Sequence, residues 1–396
     1  MPYPTELESW WLAAACRATG CDDPIAAMFD LEGAAAKLSD HFTIARPEAF
    51  AEYASDPATL AAYGLLFFPQ TFARVSLVLQ ECRASGAIPP PPAADQPAPP
   101  FRLLDLGSGA GASTLAAALL LRDRPVALQA VDHAPAALAA LQQLFTDRRP
   151  LWPSATLTTR TGDLRTDGLP GTFDLILASF VLNESFPAPA EAPAERWVQQ
   201  QLARLAPGGL LVILEPAGPA TCTRLQRLRE RLAGSREYAI VAPCPHAKPC
   251  PLLVDGHGFC HDVRSWCVPD SVNRINRHLQ RAVHTLKYGF LVLQRRTAST
   301  AAPAAELHGR LAGPMSRDKA RLATYACCSD GSLRKIELMT RHLARTELNH
   351  LIAQERGDRL RLKQPRLLGD GRTWRVEALE TINVSPPWGH LNPRFR

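Results

Sequence analysis

Phe101-Arg102-Leu103-Leu104-Asp105-Leu106-Gly107-Ser108-Gly109-Ala110-Gly111 decides the fold of this chain. The apolar run reads as a buried strand, the glycine loop follows at once, and Ser113 to Leu121 reads as a helix. Glycines at such a junction let the backbone approach a ligand closely, and the free amides at the helix start face it. Further strands are expected at Val126 to Asp132, Phe173 to Ala178 and Gly209 to Leu214, with helices at Ala134 to Phe145 and about 195–205. Repeated strand-helix units predict an α/β fold with a parallel sheet wrapped on both faces. Asp132 ends the second strand, where an acid accepts hydrogen bonds from both hydroxyls of a ribose, as it also does in dinucleotide folds. The pattern Asp-x-Gly-x-Gly-x-Gly, and Gly162-Asp163-Leu164 placed for adenine contacts, separate the two readings.

Outward from this core, residues 1–85 carry helix-type spacing, as in Leu60, Tyr63, Gly64, Phe67 and Phe68, then Val75, Val78 and Leu79, and predict an all-helical unit. Residues 86–100, with Pro89 to Pro92, Pro97, Pro99 and Pro100, predict a stiff extended linker, since proline fixes φ and lacks the amide donor. No apolar run approaches the roughly 20 residues of a membrane span, so no membrane partner is expected. The first residues, with Glu6 and Glu8, have neither a basic start nor an apolar signal core. The ten cysteines are therefore expected as thiols or metal ligands. A cytoplasmic, monomeric protein of a GC-rich bacterium fits this usage, or a mitochondrial one if a transit peptide is missing. Residues 1–100 carry 5 basic and 12 acidic side chains, net −7; residues 101–320 carry 25 and 18, net +7; residues 321–396 carry 14 and 8, net +6. A positive surface of this kind attracts a polyanion, nucleic acid first.

Cys244, Cys250 and Cys260 cluster around Pro243-Cys244-Pro245-His246-Ala247-Lys248-Pro249-Cys250-Pro251, a loop stiffened by four prolines. With one distant thiolate, from Cys327, Cys328 or Cys267, they satisfy four-coordinate zinc or an iron–sulfur cluster equally well. Arg264, Arg274, Arg277 and Arg281 follow, and a helix is expected from Leu333 to Gln354 with Arg334, Arg341 and Arg345 on one face. Such faces suit phosphate or solvent alike. Arg359, Arg361, Lys363 and Arg366 precede Trp374 and Trp388, which either stack on bases or pack a small β-rich appendage.

The loop, Asp132, Asp163 and the turn Leu205-Ala206-Pro207-Gly208-Gly209 resemble the class I S-adenosylmethionine-dependent methyltransferases over residues 101–215. The resemblance implies a Rossmann-like methyltransferase domain in which Gly107, Gly109 and Gly111 form the cofactor loop, Asp132 holds the ribose, Asp163 meets the adenine and Asp105 orients the loop and the methionine end. Where amino-group methylases carry Asn/Asp-Pro-Pro-Tyr, this chain reads Ala178-Ser179-Phe180-Val181-Leu182-Asn183-Glu184. Cys244 follows the fifth expected strand and not the fourth, which removes it as a cytosine-C5 nucleophile. No catalytic residue is named, although Asn183 and Glu184 are positioned to handle a proton or to cap a turn.

The order Leu214-Glu215-Pro216-Ala217-Gly218, Ala242-Pro243-Cys244-Pro245-His246, Phe259-Cys260-His261 and Cys327-x-x-Asp330-Gly331 resembles the methyltransferase-like assembly factors of the small ribosomal subunit. That resemblance implies a [4Fe–4S] cluster on Cys244, Cys250, Cys260 and Cys327, and association with small-subunit rRNA. The alternative is an active rRNA methyltransferase with a structural metal site such as zinc. Asp262 stands where the family usually has an aromatic. The expected division is a helical unit (1–85), a linker (86–100), a cofactor-binding domain (101–240), a cysteine-rich metal-binding region (241–332) and a basic C-terminal extension with a helix and small appendage (333–396).

Overall fold

A computed structural model describes residues 2–43, 54, 56–93, 98–166, 168, 170–187, 190–254, 256, 258–280, 284–297, 308–318, 320–377 and 382–388. Four helices come first, α1 (Thr5–Thr19), α2 (Pro24–Asp30), α3 (Glu32–Thr43) and α4 (Pro57–Ala84). The Asp56 carboxylate caps α4 by accepting the amides of Ala58 and Thr59 at 3.3 and 3.0 Å, and Pro57 takes the first helical position, where an amide would have no partner. α4 is long and apolar enough to cross a membrane by length and composition, which corrects the expectation that no such run exists. In the fold 83% of its apolar window is buried. A helix that is apolar all round needs cover on every side. α1, α3 and elements of the first sheet supply it.

The α/β unit runs β1 (Phe101–Leu106), α5 (Ala112–Leu120), β2 (Val126–Asp132), α6 (Pro135–Asp147), β3 (Ala155–Thr161), β4 (Phe173–Ser179), α7 (Val181–Ser185), α8 (Glu191–Ala203), β5 (Leu205–Pro216), α9 (Pro219–Leu232), β6 (Tyr238–Ala242), α10 (Pro251–Val254), β7 (Asp262–Ser265), α11 (Asp270–His278) and β8 (Thr285–Arg295). Its strand order is β3-β2-β1-β4-β5-β8-β6, with β7 on β8. Strands β1 to β5 are parallel, with Leu104 opposite Ile176 and Ile176 opposite Leu211. The expected Rossmann-like methyltransferase architecture is therefore present. The sheet is mixed, however, because β8 lies antiparallel between β5 and β6, with Val212 opposite Val292. No crossover of the βαβ kind brings the chain into β8, so its direction reverses.

A second sheet follows, from β9 (His308–Leu311), β10 (Ser316–Asp318), β11 (Arg321–Cys328), β12 (Leu333–Met339), α12 (Arg345–Ile352), β13 (Arg359–Leu362), β14 (Arg366–Leu367), β15 (Thr373–Val376) and β16 (Ile382–Ser385), in the order β14-β15-β12-β11-β9-β13-β16 with β10 on β11. The expected helix from Leu333 is thus a strand, a short 3-10 turn and the two-turn α12. Pairing with β11 and β15 buries Ile336 and Leu338 in the core that also takes Leu348 and Leu351, so tertiary contacts override the helical spacing. Arg334 leaves the expected helical face and lies over the buried ring of Trp374 at 5.0 Å.

One chain of buried charges joins the parts. Arg310 on β9 donates to both oxygens of Glu81 on α4, at 2.6 and 3.0 Å, and to Asp262 on β7 at 2.7 Å. Arg264 donates to Asp262 at 3.0 Å and to Asp358 at 2.5 Å. All five side chains are buried. Arg264 therefore leaves the set of candidate phosphate contacts, and Trp388 lies against its guanidinium at 5.1 Å.

Removing one partner from such a network strands the others without compensation. Arg310→Met is expected to lower unfolding stability by about 3–5 kcal/mol, seen as an earlier urea midpoint. An unchanged midpoint would remove the network as an energetic link between the sheets.

Candidate functional site

Gly107, Gly109 and Gly111 have φ of 70°, 52° and 89°, a region that side chains disfavour. A Cβ at Gly107 would meet Val181 Cγ2 at 2.8 Å, and one at Gly111 would run into Leu141. The loop is therefore held open by the absence of side chains, at the carboxyl ends of β1 and β4 where open α/β sheets bind ligands. The Asp132 carboxylate accepts the amides of Gly109 at 2.7 Å and Ala134 at 2.9 Å, so it ties the loop to the end of β2. Asp163 is held by Arg165 at 2.8 Å, which lowers its carboxyl to about 2. Asp105 is fully buried. The Thr114 hydroxyl donates to its Oδ2 at 2.5 Å, its Oδ1 has no partner, and burial raises its pKa to about 7.

Three further groups lie near this loop, outside the expected site residues. Glu215, buried at the end of β5, accepts the Leu182 amide at 2.9 Å and so caps α7, the turn that presents Asn183 and Glu184. Burial and the nearby Glu184 raise its pKa to about 8. Tyr63 and Arg74 come from α4, with the Arg74 guanidinium 5.9 Å from the centre of the Phe180 ring. An acid at a strand end is the only one of these that a sequence search would flag.

The cysteines meet elsewhere, at the seam of the two sheets. Cys244, Cys250, Cys260 and Cys327 all line one cavity of about 50 Å³, together with Cys222, Gln226 and Arg310. Neither Cys328 nor Cys267 lines it. Cys327 and Cys328 are successive on β11 and face opposite ways, so Cys328 is buried in the core of the second sheet. Among the described residues, no group of three or more His, Cys, Asp or Glu side chains is close enough to hold a metal ion. Burial raises the pKa of Cys244, Cys260 and Cys327, and Arg229 opposes that rise at Cys244.

Buried and half-buried side chains hold the segments that carry the cysteines. Gln226 donates to Cys250 Sγ at 3.4 Å and accepts the Cys260 amide at 3.3 Å. Glu230 accepts the Cys250 amide at 2.9 Å. Arg229 donates to the carbonyls of His246 and Lys248, both at 2.6 Å, and Arg356 to those of His261 at 2.8 Å and Phe259 at 2.7 Å. The His246 ring reaches Cys327 Sγ at 3.3 Å, across the seam. Gln226, Arg229 and Glu230 recur at helical spacing on α9, a pattern that gains meaning only once the loop is folded over it. Arg274 and Arg277 lie on α11, whereas Arg281 and Pro97 lie outside the described residues.

No curated protein matches this sequence. Among solved structures, a coclaurine N-methyltransferase is 19% identical with a TM-score of 0.25, covering 35% of each chain, so this chain spans about a third of that relative's length. The N-methyltransferase NodS of Bradyrhizobium japonicum WM9 is 17% identical with a TM-score of 0.34, covering 59% of this chain and 89% of that one. The plantazolicin methyltransferase BpumL is 12% identical with a TM-score of 0.36, covering 68% and 98%. The family described as mitochondrial small ribosomal subunit Rsm22 matches residues 57–361, which is 305 of the 396 residues. With the mixed α/β sheet, the glycine loop and the cysteine-lined seam inside that span, this chain belongs to the Rsm22 family.

Proposed function

We propose that this chain is an assembly or maturation factor of the small ribosomal subunit, with a methyltransferase-like domain that binds S-adenosylmethionine and a seam that holds a [4Fe–4S] cluster. The observation that carries the reading is the gathering of Cys244, Cys250, Cys260 and Cys327 around one cavity, in a chain whose family is described by the small ribosomal subunit. A four-iron cluster takes its thiolates around a cube, whereas zinc needs them on one point. The lining of one cavity by these thiols supports a thiolate-held group, and the resemblance carried by the Pro243-Cys244-Pro245-His246 block favours the cluster over zinc. The net charges of +7 and +6 beyond residue 100 support an rRNA partner. The family description suits a mitochondrial ribosome, and the composition a bacterial cytoplasm.

For the cofactor, the unpartnered Oδ1 of Asp105 and the open backbone at Gly107, Gly109 and Gly111 support a ligand with a cationic end above the loop. Asp132 would meet its ribose and Asp163 its adenine. When bound, S-adenosylmethionine supplies an electrophilic methyl group. An active rRNA methyltransferase with a structural metal site is the second reading, favoured by the intact loop. Against it, the groups at the ends of β4 and β5 are committed to structure: Glu215, at the end of β5, caps the turn after β4, and Asn183 lies within that turn.

Protein purified without oxygen is expected to carry about four irons and four sulfides per chain with broad visible absorption, and Cys244→Ser to lose them. One zinc with no iron would return weight to the second reading. Sucrose-gradient sedimentation should place the protein with small-subunit particles, and its recovery only as free protein would overturn the assembly role.

A second expectation concerns pH. Because burial and the neighbouring Asp132 raise the Asp105 carboxyl to about 7, it is protonated below that pH and charged above it. An ammonium group favours the charged form, so affinity for S-adenosylhomocysteine should rise from pH 6 to 8 and then level off. Asp105→Asn should flatten that profile in calorimetric titration.

A further inference from the structure

Arg74 is a cation without an acid. Among the described residues it makes no ion pair. Its one hydrogen bond goes to the neutral Gln70, at 3.3 Å, one turn earlier on α4, and its Nε is buried with no partner. Burial lowers its pKa to about 10. Arg124 and Arg229, which also have buried unpartnered Nε atoms, each pair with an acid, so Arg74 stands apart.

Its position is specific. The guanidinium lies over Phe180, the first residue past β4, held at a φ of 67° that non-glycine residues seldom take. The next residue, Val181, packs on Gly107 at the start of the loop. Through Phe180 and Val181 the Arg74 side of α4 therefore adjoins the glycine loop, which Asp105 on β1 leads into. The surroundings of the loop therefore offer a cation without an acid on the α4 side and, in Asp105, an unpartnered carboxylate oxygen on the β1 side. That is the complement of a zwitterion.

We propose that Arg74 binds the carboxylate of the amino-acid end of an adenosyl amino acid, opposite Asp105, and so makes α4 part of the cofactor site. The inference rests on the cofactor reading above. A substrate phosphate would offer the same anionic chemistry, and the ligands below distinguish the two.

The test is calorimetric titration of the full chain with S-adenosylhomocysteine and with methylthioadenosine, which keeps the nucleoside and lacks the amino-acid end. A charged hydrogen bond of about 1.5–3 kcal/mol corresponds to roughly 10- to 150-fold in affinity. Arg74→Leu should weaken S-adenosylhomocysteine by that factor and leave methylthioadenosine unchanged, which also reports that the variant is folded, and Arg74→Lys should recover part of the loss. Unchanged S-adenosylhomocysteine affinity in Arg74→Leu, with weakening only of a short RNA, would overturn the proposal in favour of a phosphate. Equal weakening of both nucleosides would overturn it as well. Failure of the unsubstituted protein to bind either nucleoside would overturn the cofactor reading, and this inference with it.

Discussion

Arg310 and Arg264 share the carboxylate of Asp262, and through it a helix from the first hundred residues, a strand of the first sheet and the loop before β13 are held in one arrangement. Burying charges is unfavourable unless each finds its counterpart in good geometry. Here the bonds are short and each guanidinium meets at least two acids, so the parts fit together in one relative position or lose the compensation. Asp262 and Arg310 also line the cysteine cavity. The spacing between Cys260, two residues before Asp262, and Cys327, on the strand beside β9, is thereby set by an ionic link before any ligand enters.

Much of this was legible in the sequence wherever the signal was local. The strand, loop and helix around Gly107 announce themselves within twenty residues, because a buried parallel strand needs a continuous apolar run and a ligand loop needs small residues. Cys244, Cys250 and Cys260 were legible for the same reason. What escaped depends on partners far along the chain. Asp262 read as a departure from a family pattern, and only Glu81, Arg310 and Asp358 explain it. Ile336, Leu338, Leu348 and Leu351 admit both a helix and a strand followed by a helix, and the neighbours β11 and β15 decide between them. Cys327 and Cys328 cannot be ranked by counting residues, yet the alternation of a strand separates them completely.

Two centres emerge, with different construction. The glycine loop is built from main chain and missing side chains, and it is tied to its sheet by Asp132. The cysteine seam is built from side chains of α9, with Gln226, Glu230 and Arg229 bonded to the segments that carry the thiols. A loop organised in this way is shaped before it meets its ligand, which reduces the ordering that binding must supply.

α4 has a consequence for the order of synthesis. Its apolar surface is complete once Ala84 leaves the ribosome, whereas β8, one of the strands it packs on, ends at Arg295. At a rate of roughly 5–20 residues per second, the interval is on the order of 10–40 seconds. Throughout it, the nascent chain displays a segment with the length and hydropathy of a membrane span and only its helical neighbours to cover it. The cover that is available first comes from α1, which precedes α4 in the chain and whose Trp11 packs against Gly64.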